Sequence, residues 1–342
     1  MHYPALDALR GVAILWVLLY HLELNYSLHA WDFFHRVHQL IGVPLEDWLA
    51  RVPEMGYLGV DLFFVLSGFL ITGLLLPELD TGVRVKRFWL RRFWKIVPPY
   101  ALAVVAGIAL AYATEPPTRA TDLWGQALFV QNYTRQLPVL SHTWSLAVEE
   151  HFYLLYPLVL VLVPRRFLLP VLCGAIVLVN ALRWKLLSPV PHGDPIPFHF
   201  THLRLDAILS GCVLRLSGVS FAGARRWLAL AAAAVLSLRL LHYGFDWWRW
   251  WHHTQAWMAA ALLIGATYDC TPGRVLAPLC AIGRWSYAMY LWHSHVMWIF
   301  RFAGWSFPGV TLVCSAASIA AGAAGTRWLE AYFLELRRRF AP

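Results

Sequence analysis

Charge is scarce in this sequence of 342 residues: Asp, Glu, Lys and Arg together make up 14% of it, against about a quarter in soluble globular domains. That shortage excludes an ordinary water-soluble domain. With 59% hydrophobic residues and a mean hydropathy of +0.54, the chain is expected to cross a membrane many times. Cysteine is also sparse. Cys173, Cys212, Cys270, Cys280 and Cys314 stand apart in or beside apolar runs, without the paired spacing of a disulfide framework or a zinc site. They are read as packed thiols, and no metal is expected. The N-terminus lacks a basic stretch followed by a small-residue cleavage site, so the first apolar run is expected to remain as a span. There is no internal repeat or low-complexity tract, no soluble domain is expected at either end, and the interrupted repeat pair frequent in transporters is missing.

What the sequence does contain is a series of apolar runs near the length that spans a bilayer as a helix. Ten helices are expected, at roughly 5–24, 57–77, 96–113, 142–163, 167–184, 203–219, 227–242, 253–268, 283–302 and 309–329. The fold class is therefore all-α, a polytopic membrane helix bundle. Basic residues set its orientation. With the N-terminus inside, the segments 77–95, 164–167, 217–226 and 269–283 and the C-terminal Arg337-Arg338-Arg339 fall on the cytoplasmic side, and most basic clusters lie there. Both ends are thus expected inside. The formal net charge of +9 needs no nucleic-acid partner, because the same loops account for it. "DWWRWWHH" (246–253) reads as an interfacial aromatic belt, with glycan stacking as the rival reading.

Polar residues inside these runs carry the chemistry. In "LDALRGVAILWVLLYHLEL" (6–24), Arg10 and His21 are eleven residues apart, which on a helix is three turns plus ~20°, so they share a face about 16 Å apart along the axis. One reading has Arg10 reaching the headgroups and His21 bonded to a neighbouring helix. The other has a polar tunnel along this face with His21 as a proton-transfer group. "GYLGVDLFFVLSGFLITGLLL" (56–76) brings Asp61 into the second span and Ser67 mid-span, but no G-x-S-x-G elbow surrounds that serine. "VRVKRFWLRRFWKIVPPY" (83–100) packs Arg84, Lys86, Arg87, Arg91, Arg92 and Lys95 among aromatics. It serves as a positive-inside anchor, and its density also suits the phosphates of a cytosolic nucleotide-bearing donor. In "SHTWSLAVEEHFYLLYPLVL" (141–160), Ser145 and Glu149 share a face, and two adjacent acids cannot both face lipid. Arg204 and Asp206 stand at the outer mouth of the sixth expected span. His293 and His295, two apart, point to different faces, which argues against a shared metal.

Six of these segments, in order, carry a specific resemblance: "LDALRGVAILWVLLYHL", "GVDLFFVLSGFLI", "FWLRRFWKIVPPYAL", "WSLAVEEHFYLLYPL", "RLDAILSG" and "SYAMYLWH". Over nearly its whole length the chain resembles the acyltransferase-3 family of integral-membrane O-acyltransferases. The resemblance implies a single ten-helix acyltransferase domain over 1–342, with a cytoplasmic basic loop at 78–95, in a bacterial inner membrane. It implies transfer of an acyl group, commonly acetyl, from cytosolic acyl-CoA to a hydroxyl on the far side, typically of a glycan. The family's first-helix Arg and His fall on Arg10 and His21. Its Arg-Arg-x-x-Arg motif falls on Arg91, Arg92 and position 95, where this chain departs with Lys95 and so loses the planar fork while keeping the charge. Neither the extra span nor the esterase-like domain of some relatives is expected here.

These observations assign donor binding to Arg10, Arg91, Arg92 and Lys95, proton transfer and its orientation to His21, Glu149 and Asp61, and acceptor contact to Arg204 and Asp206. The expected partners are acyl-CoA, a hydroxyl-bearing acceptor and membrane lipid. The competing class is a transporter or flippase using Arg10, Glu149 and Asp61 as a relay. A serine hydrolase at Ser145 or Ser67 and a purely structural scaffold are the further alternatives.

Overall fold

The structure is a computed structural model, and it describes residues 3–26, 51–79, 81–114, 120–134, 137–189, 199–243, 249–305 and 309–340. In a bilayer every backbone amide and carbonyl must be satisfied within the chain, and helices do this locally. The described elements are accordingly helical: α1 Pro4–Tyr26, α2 Gly59–Leu75, α3 Val85–Thr114, α4 Ala120–Ala127, α5 Trp144–Leu162, α6 Arg165–Leu187 and α7 Thr201–Leu216. They continue with α8 Ala224–Tyr243, α9 Arg249–Thr267, α10 Ala277–Arg284, α11 Ser286–Phe302, α12 Val310–Ala324 and α13 Ala331–Phe340. Short 3₁₀ turns lead into α2 (Met55–Leu58) and α5 (Pro138–Thr143), and a π turn, Gly325–Glu330, joins α12 to α13.

The chain is a multi-pass membrane protein. Among the described residues, six helical segments are long and apolar enough to cross a bilayer: Pro4–Leu24, Arg51–Glu78, Val85–Thr114, Pro138–Leu162, Arg165–Leu187 and Val310–Arg339. Large apolar side chains such as Val105, Leu154, Leu178, Leu228 and Leu312 face outward, where lipid rather than water makes them stable. The bundle interior is built from Leu6, Ile14, Phe64, Leu66, Leu140, Ile208 and Met289, all nearly inaccessible.

Two close helix crossings hold the centre. α2 meets α7 at Gly68 and Gly211, where a Cβ on Gly68 would run into the Ile208 carbonyl and one on Gly211 into the Val65 carbonyl. α1 meets α10 in the same way, Gly283 lying against the Asp7 backbone and Gly11 against Leu279. Small residues let backbones approach where no hydrophobic force drives helices together. α1 also packs on α2 and α11, and α5 packs on α3 and α7, so the polar residues of these six helices converge on the bundle interior.

Two expectations are corrected, the basic loop and the aromatic segment. The basic stretch read as a loop at 78–95 is helical from Val85, and α3 runs unbroken through Pro98 and Pro99 into the expected 96–113 span. Those prolines remove the helical donors for the carbonyls of Trp94 and Lys95 without stopping the helix. The expected 283–302 helix is α11, Ser286–Phe302, and the separate short α10 precedes it across Trp285. In the aromatic "DWWRWWHH" segment, 246–248 lie outside the described residues, whereas His252 and His253 turn inward and are buried.

Candidate active site

The cationic stripe on α3 opens into the protein. Arg87, Arg91 and Lys95 recur every fourth residue and so share a helix face. With Arg92, Glu78, Phe88 and Arg337 of α13 they line a cavity of ≈ 370 Å³. Arg92 is held by aromatics, its guanidinium carbon 5.5 Å from the Phe88 ring centre and 5.4 Å from that of Tyr153. The positive charge at this mouth is thus supplied by two helices and fixed by packing. The outermost cation, Arg84, is turned aside and pairs with Glu78 at 3.7 Å.

Arg92 and Lys95 also line a second, inner cavity of ≈ 170 Å³. Its wall includes Arg10 from α1, Ser67 from α2, Ser145, Glu149 and Tyr153 from α5, and Ser286 and Tyr290 from α11, over an apolar side of Phe63, Phe64, Leu66 and Leu70. The Tyr153 hydroxyl donates to Glu149 Oε2 at 2.9 Å. Its oxygen lies 2.6 Å from Ser67 Oγ, so the serine donates in turn. The Tyr290 hydroxyl donates to the His142 carbonyl at 2.5 Å and is 2.6 Å from Ser145 Oγ. Glu149 lies in the field of Arg10, Arg92 and Lys95. Glu330, presented by the π turn and accepting from Thr326 at 2.9 Å, acts on Lys95 and Arg10 from the other side. π turns inside helices occur frequently at functional sites.

Behind Tyr290 lies a group of three imidazoles. The ring centres of His21 and His293 are 4.8 Å apart, those of His142 and His293 4.8 Å, and those of His21 and His142 6.3 Å. His142 in turn contacts Tyr290, with centres 5.3 Å apart. His295, as expected from its spacing, points elsewhere and bonds the Ala103 carbonyl of α3 at 2.8 Å. Among the described residues no cluster of His, Cys, Asp or Glu has the arrangement of a metal site.

The remaining expected residues sit one layer further out. Asp61 accepts from Arg204 Nη2 at 2.9 Å and from His253 Nδ1 at 3.0 Å, and both partners of the Asp61–Arg204 pair are at most 2% exposed. The Arg204 guanidinium carbon lies 5.7 Å from the ring centre of Phe64, which lines the inner cavity, and 5.5 Å from that of Trp144, the two rings meeting edge to face. Asp206 belongs to a separate buried group: it accepts from Arg183, from Asn180 Nδ2 at 3.2 Å and from Trp257 Nε1 at 2.7 Å. The structure therefore gathers Arg10, Arg92, Lys95 and Glu149 around the inner cavity and Arg91 at its mouth. His21 lies behind Tyr290, Asp61 with Arg204 behind Phe64, and Asp206 in neither cavity. Sequence reasoning missed Tyr153, Tyr290, His142, Glu330 and Arg337 as members of this region. Tyr153 is one helical turn from Glu149, and that spacing is the signal that was available for it.

The family profile described as an acyltransferase domain matches residues 3–327. The chain belongs to the acyltransferase-3 family. Among its relatives, the O-acetyltransferase OatA of Staphylococcus aureus strain NCTC 8325 is 28% identical over 332 residues, covering 86% of this chain and 51% of the relative. The peptidoglycan O-acetyltransferase OatA of Listeria monocytogenes EGD-e is 28% identical over 336 residues, covering 86% of this chain and 49% of its own length. A putative O-acetyltransferase of S. aureus strain COL is 30% identical over 234 residues, 62% of this chain and 34% of that protein. This acyltransferase-3 chain therefore spans about half the length, or less, of the curated relatives it matches. No solved structure matches it.

Proposed function

We propose that this chain is a membrane O-acyltransferase that takes an acyl group, in the first instance acetyl, from cytosolic acyl-CoA and delivers it to a hydroxyl of a glycan on the opposite side. The observation that carries this reading is the shared wall of the two cavities: Arg92 and Lys95 belong to both, so a basic mouth leads directly to a chamber holding Arg10 and Glu149. A CoA-like donor has that same sequence of parts, anionic phosphates followed by a thin arm ending in a thioester. Family membership and the O-acetyltransferase names of the relatives point the same way, and the Listeria relative's name makes peptidoglycan the first acceptor to try. Both chain ends lie in the cytoplasm in this scheme, as the basic clusters require.

A thioester is already activated, so the protein must orient the donor, take a proton from the acceptor and stabilise the oxyanion. Arg87, Arg91, Arg92, Lys95 and Arg337 hold the phosphates, the two neighbouring arginines by planar bidentate contacts and Lys95 as a point charge at the constriction. Arg10 guides the arm past Glu149. His21 takes the acceptor proton, the hydroxyl oxygen bonds to the thioester carbonyl carbon, and departure of the thiolate with that proton yields ester and free CoA. Asp61 and Arg204 support the chamber from behind Phe64 and Trp144.

Calorimetric titration of the detergent-purified protein with acetyl-CoA tests the donor site. Micromolar binding that weakens at least about tenfold in Arg91→Ala/Arg92→Ala is expected, since each charge-assisted contact contributes about 1.5–3 kcal/mol. A flat titration of folded wild type with acetyl-CoA and with succinyl-CoA would overturn the assignment.

A further inference from the structure

His293 is a buried base that the proposed transfer does not yet use. It is 1% exposed on α11, with its Nδ1 2.9 Å from the Tyr290 carbonyl and 3.1 Å from that of Met289. A carbonyl only accepts, so Nδ1 carries the hydrogen and Nε2 is left with a bare lone pair. Nε2 of His293 has no hydrogen-bond partner. His21 is held by the same logic, its Nδ1 2.9 Å from the Val17 carbonyl, which leaves its Nε2 without a hydrogen of its own. Two imidazoles from different helices, with ring centres 4.8 Å apart, are thus fixed in the same tautomer by their own backbones. An unpartnered buried acceptor is costly, and a leucine at 293 would fill the space without that penalty. The pair becomes favourable when one proton is added, because a protonated ring then meets a neutral one that can accept from it.

We propose that His293 is the partner imidazole of His21, a positioning residue that shares the proton taken from the acceptor until the thiolate leaves. The assignment rests on the O-acyltransferase function proposed from the cavities. The acceptor O–H bond breaks towards His21 Nε2 as its oxygen bonds to the thioester carbon. The new N–H of His21 is then shared with Nε2 of His293, which spreads the positive charge over two rings in a site with few other means of solvating it. When the carbon–sulfur bond breaks, the thiolate takes the proton back, and both rings return to neutral with nothing else consumed. His142 completes the group: its ring packs on His293 and on Tyr290, whose other side lines the donor chamber, and so connects the imidazoles to the wall of that chamber.

His293→Asn separates the two nitrogens, because an asparagine amide still donates to the Met289 and Tyr290 carbonyls but nothing replaces Nε2. Thiol release from acetyl-CoA is followed with chitotetraose or water as the acceptor probe, in mixtures of H₂O and D₂O. Wild type is expected to give a bowed proton inventory, reporting two protons in motion. H293N should be slower in kcat by about 10–100-fold, with a straight inventory and a KM for acetyl-CoA within twofold. Should H293N lose acetyl-CoA binding altogether, H293Q, which fills the ring's far side, is measured in the same way. A straight inventory in wild type, or a variant that binds donor and keeps the bowed inventory or the wild-type rate, overturns the pairing. Wild type that binds no acetyl-CoA and releases no thiol would instead overturn the transferase function, so the two failures are distinct.

Discussion

Replacing Asp61 by leucine asks whether this carboxylate belongs to the chemistry or to the frame around it. Its partner Arg204 is 2% exposed, and among the described residues the guanidinium makes its one side-chain hydrogen bond to Asp61, while Nε and Nη1 have none. Removing the acid strands that charge, which for buried pairs costs about 3–5 kcal/mol. His253 loses its acceptor as well, adding about 1 kcal/mol. In domains of 150–250 residues about 1 kcal/mol moves the unfolding midpoint by 2–4 °C, and less in longer chains, so D61L should fall by roughly 5–10 °C in detergent. The double variant D61L/R204M removes both charges together, which in other buried pairs is near neutral. It should regain most of the midpoint, short of the His253 deficit. Tryptophan fluorescence gives the midpoints, and thiol release from acetyl-CoA, measured well below them, gives activity. If the pair is a support, the double variant recovers stability and transfer together. A double variant that regains its midpoint but stays inactive would refute the supporting role and place Asp61 in the reaction. A D61L midpoint within about 2 °C of wild type would refute the energetics.

Two other perturbations follow from the geometry. Glu149→Gln keeps the shape of the acid but removes the charge facing Arg10, Arg92 and Lys95, and should lower kcat at least tenfold with donor binding retained; Tyr153→Phe, which loses the bonds to Glu149 and Ser67, should do so more mildly. Both are read by thiol release beside calorimetry. Gly68→Val should fail to give folded protein, because its side chain would enter the Ile208 backbone at the α2–α7 crossing, whereas Gly174→Ala, with nothing within 4 Å, should match wild type in yield and midpoint.

Six of the expected spans were legible because lipid imposes one rule on all of them: an apolar run of about 20 residues must satisfy its backbone within itself. The convergence of Arg10, Glu149 and the α3 cations was legible for a related reason, since polar groups inside such runs have to face a cavity or each other. What the local pattern does not contain is the choice of partner. Nothing near Asp61 in the chain points to Arg204, 143 residues away, and nothing near Asp206 points to Arg183 rather than Arg204, which is only two residues distant. The same holds for His252 and His253, which follow a run of tryptophans suited to the interface and yet turn inward to Tyr57 and Asp61. The basic segment read as a loop because clustered cations mark the cytoplasmic connections between spans. It is a helix nonetheless, with its charges on an open stripe and Arg92 shielded by aromatic faces.

The buried acids of the spans then divide by how they are neutralised, and the division separates frame from site. Asp61 and Asp206 each touch a guanidinium directly, so their charge is spent within the protein and a ligand entering nearby would find no unmatched field. Among the described residues Glu149 has no such ion pair. Its direct contact is a tyrosine hydroxyl, while Arg10, Arg92 and Lys95 act on it across the walls of a void. Cations that line a cavity together with an acid they do not touch remain available to another anion. An anionic donor entering through the basic mouth can engage Arg92 and Lys95 without breaking a formed salt bridge, whereas the same donor at Arg204 or Arg183 would have to break one worth several kcal/mol. The polar interior thus directs a negatively charged ligand to one chamber, and the two guanidiniums most deeply buried are the ones it cannot use.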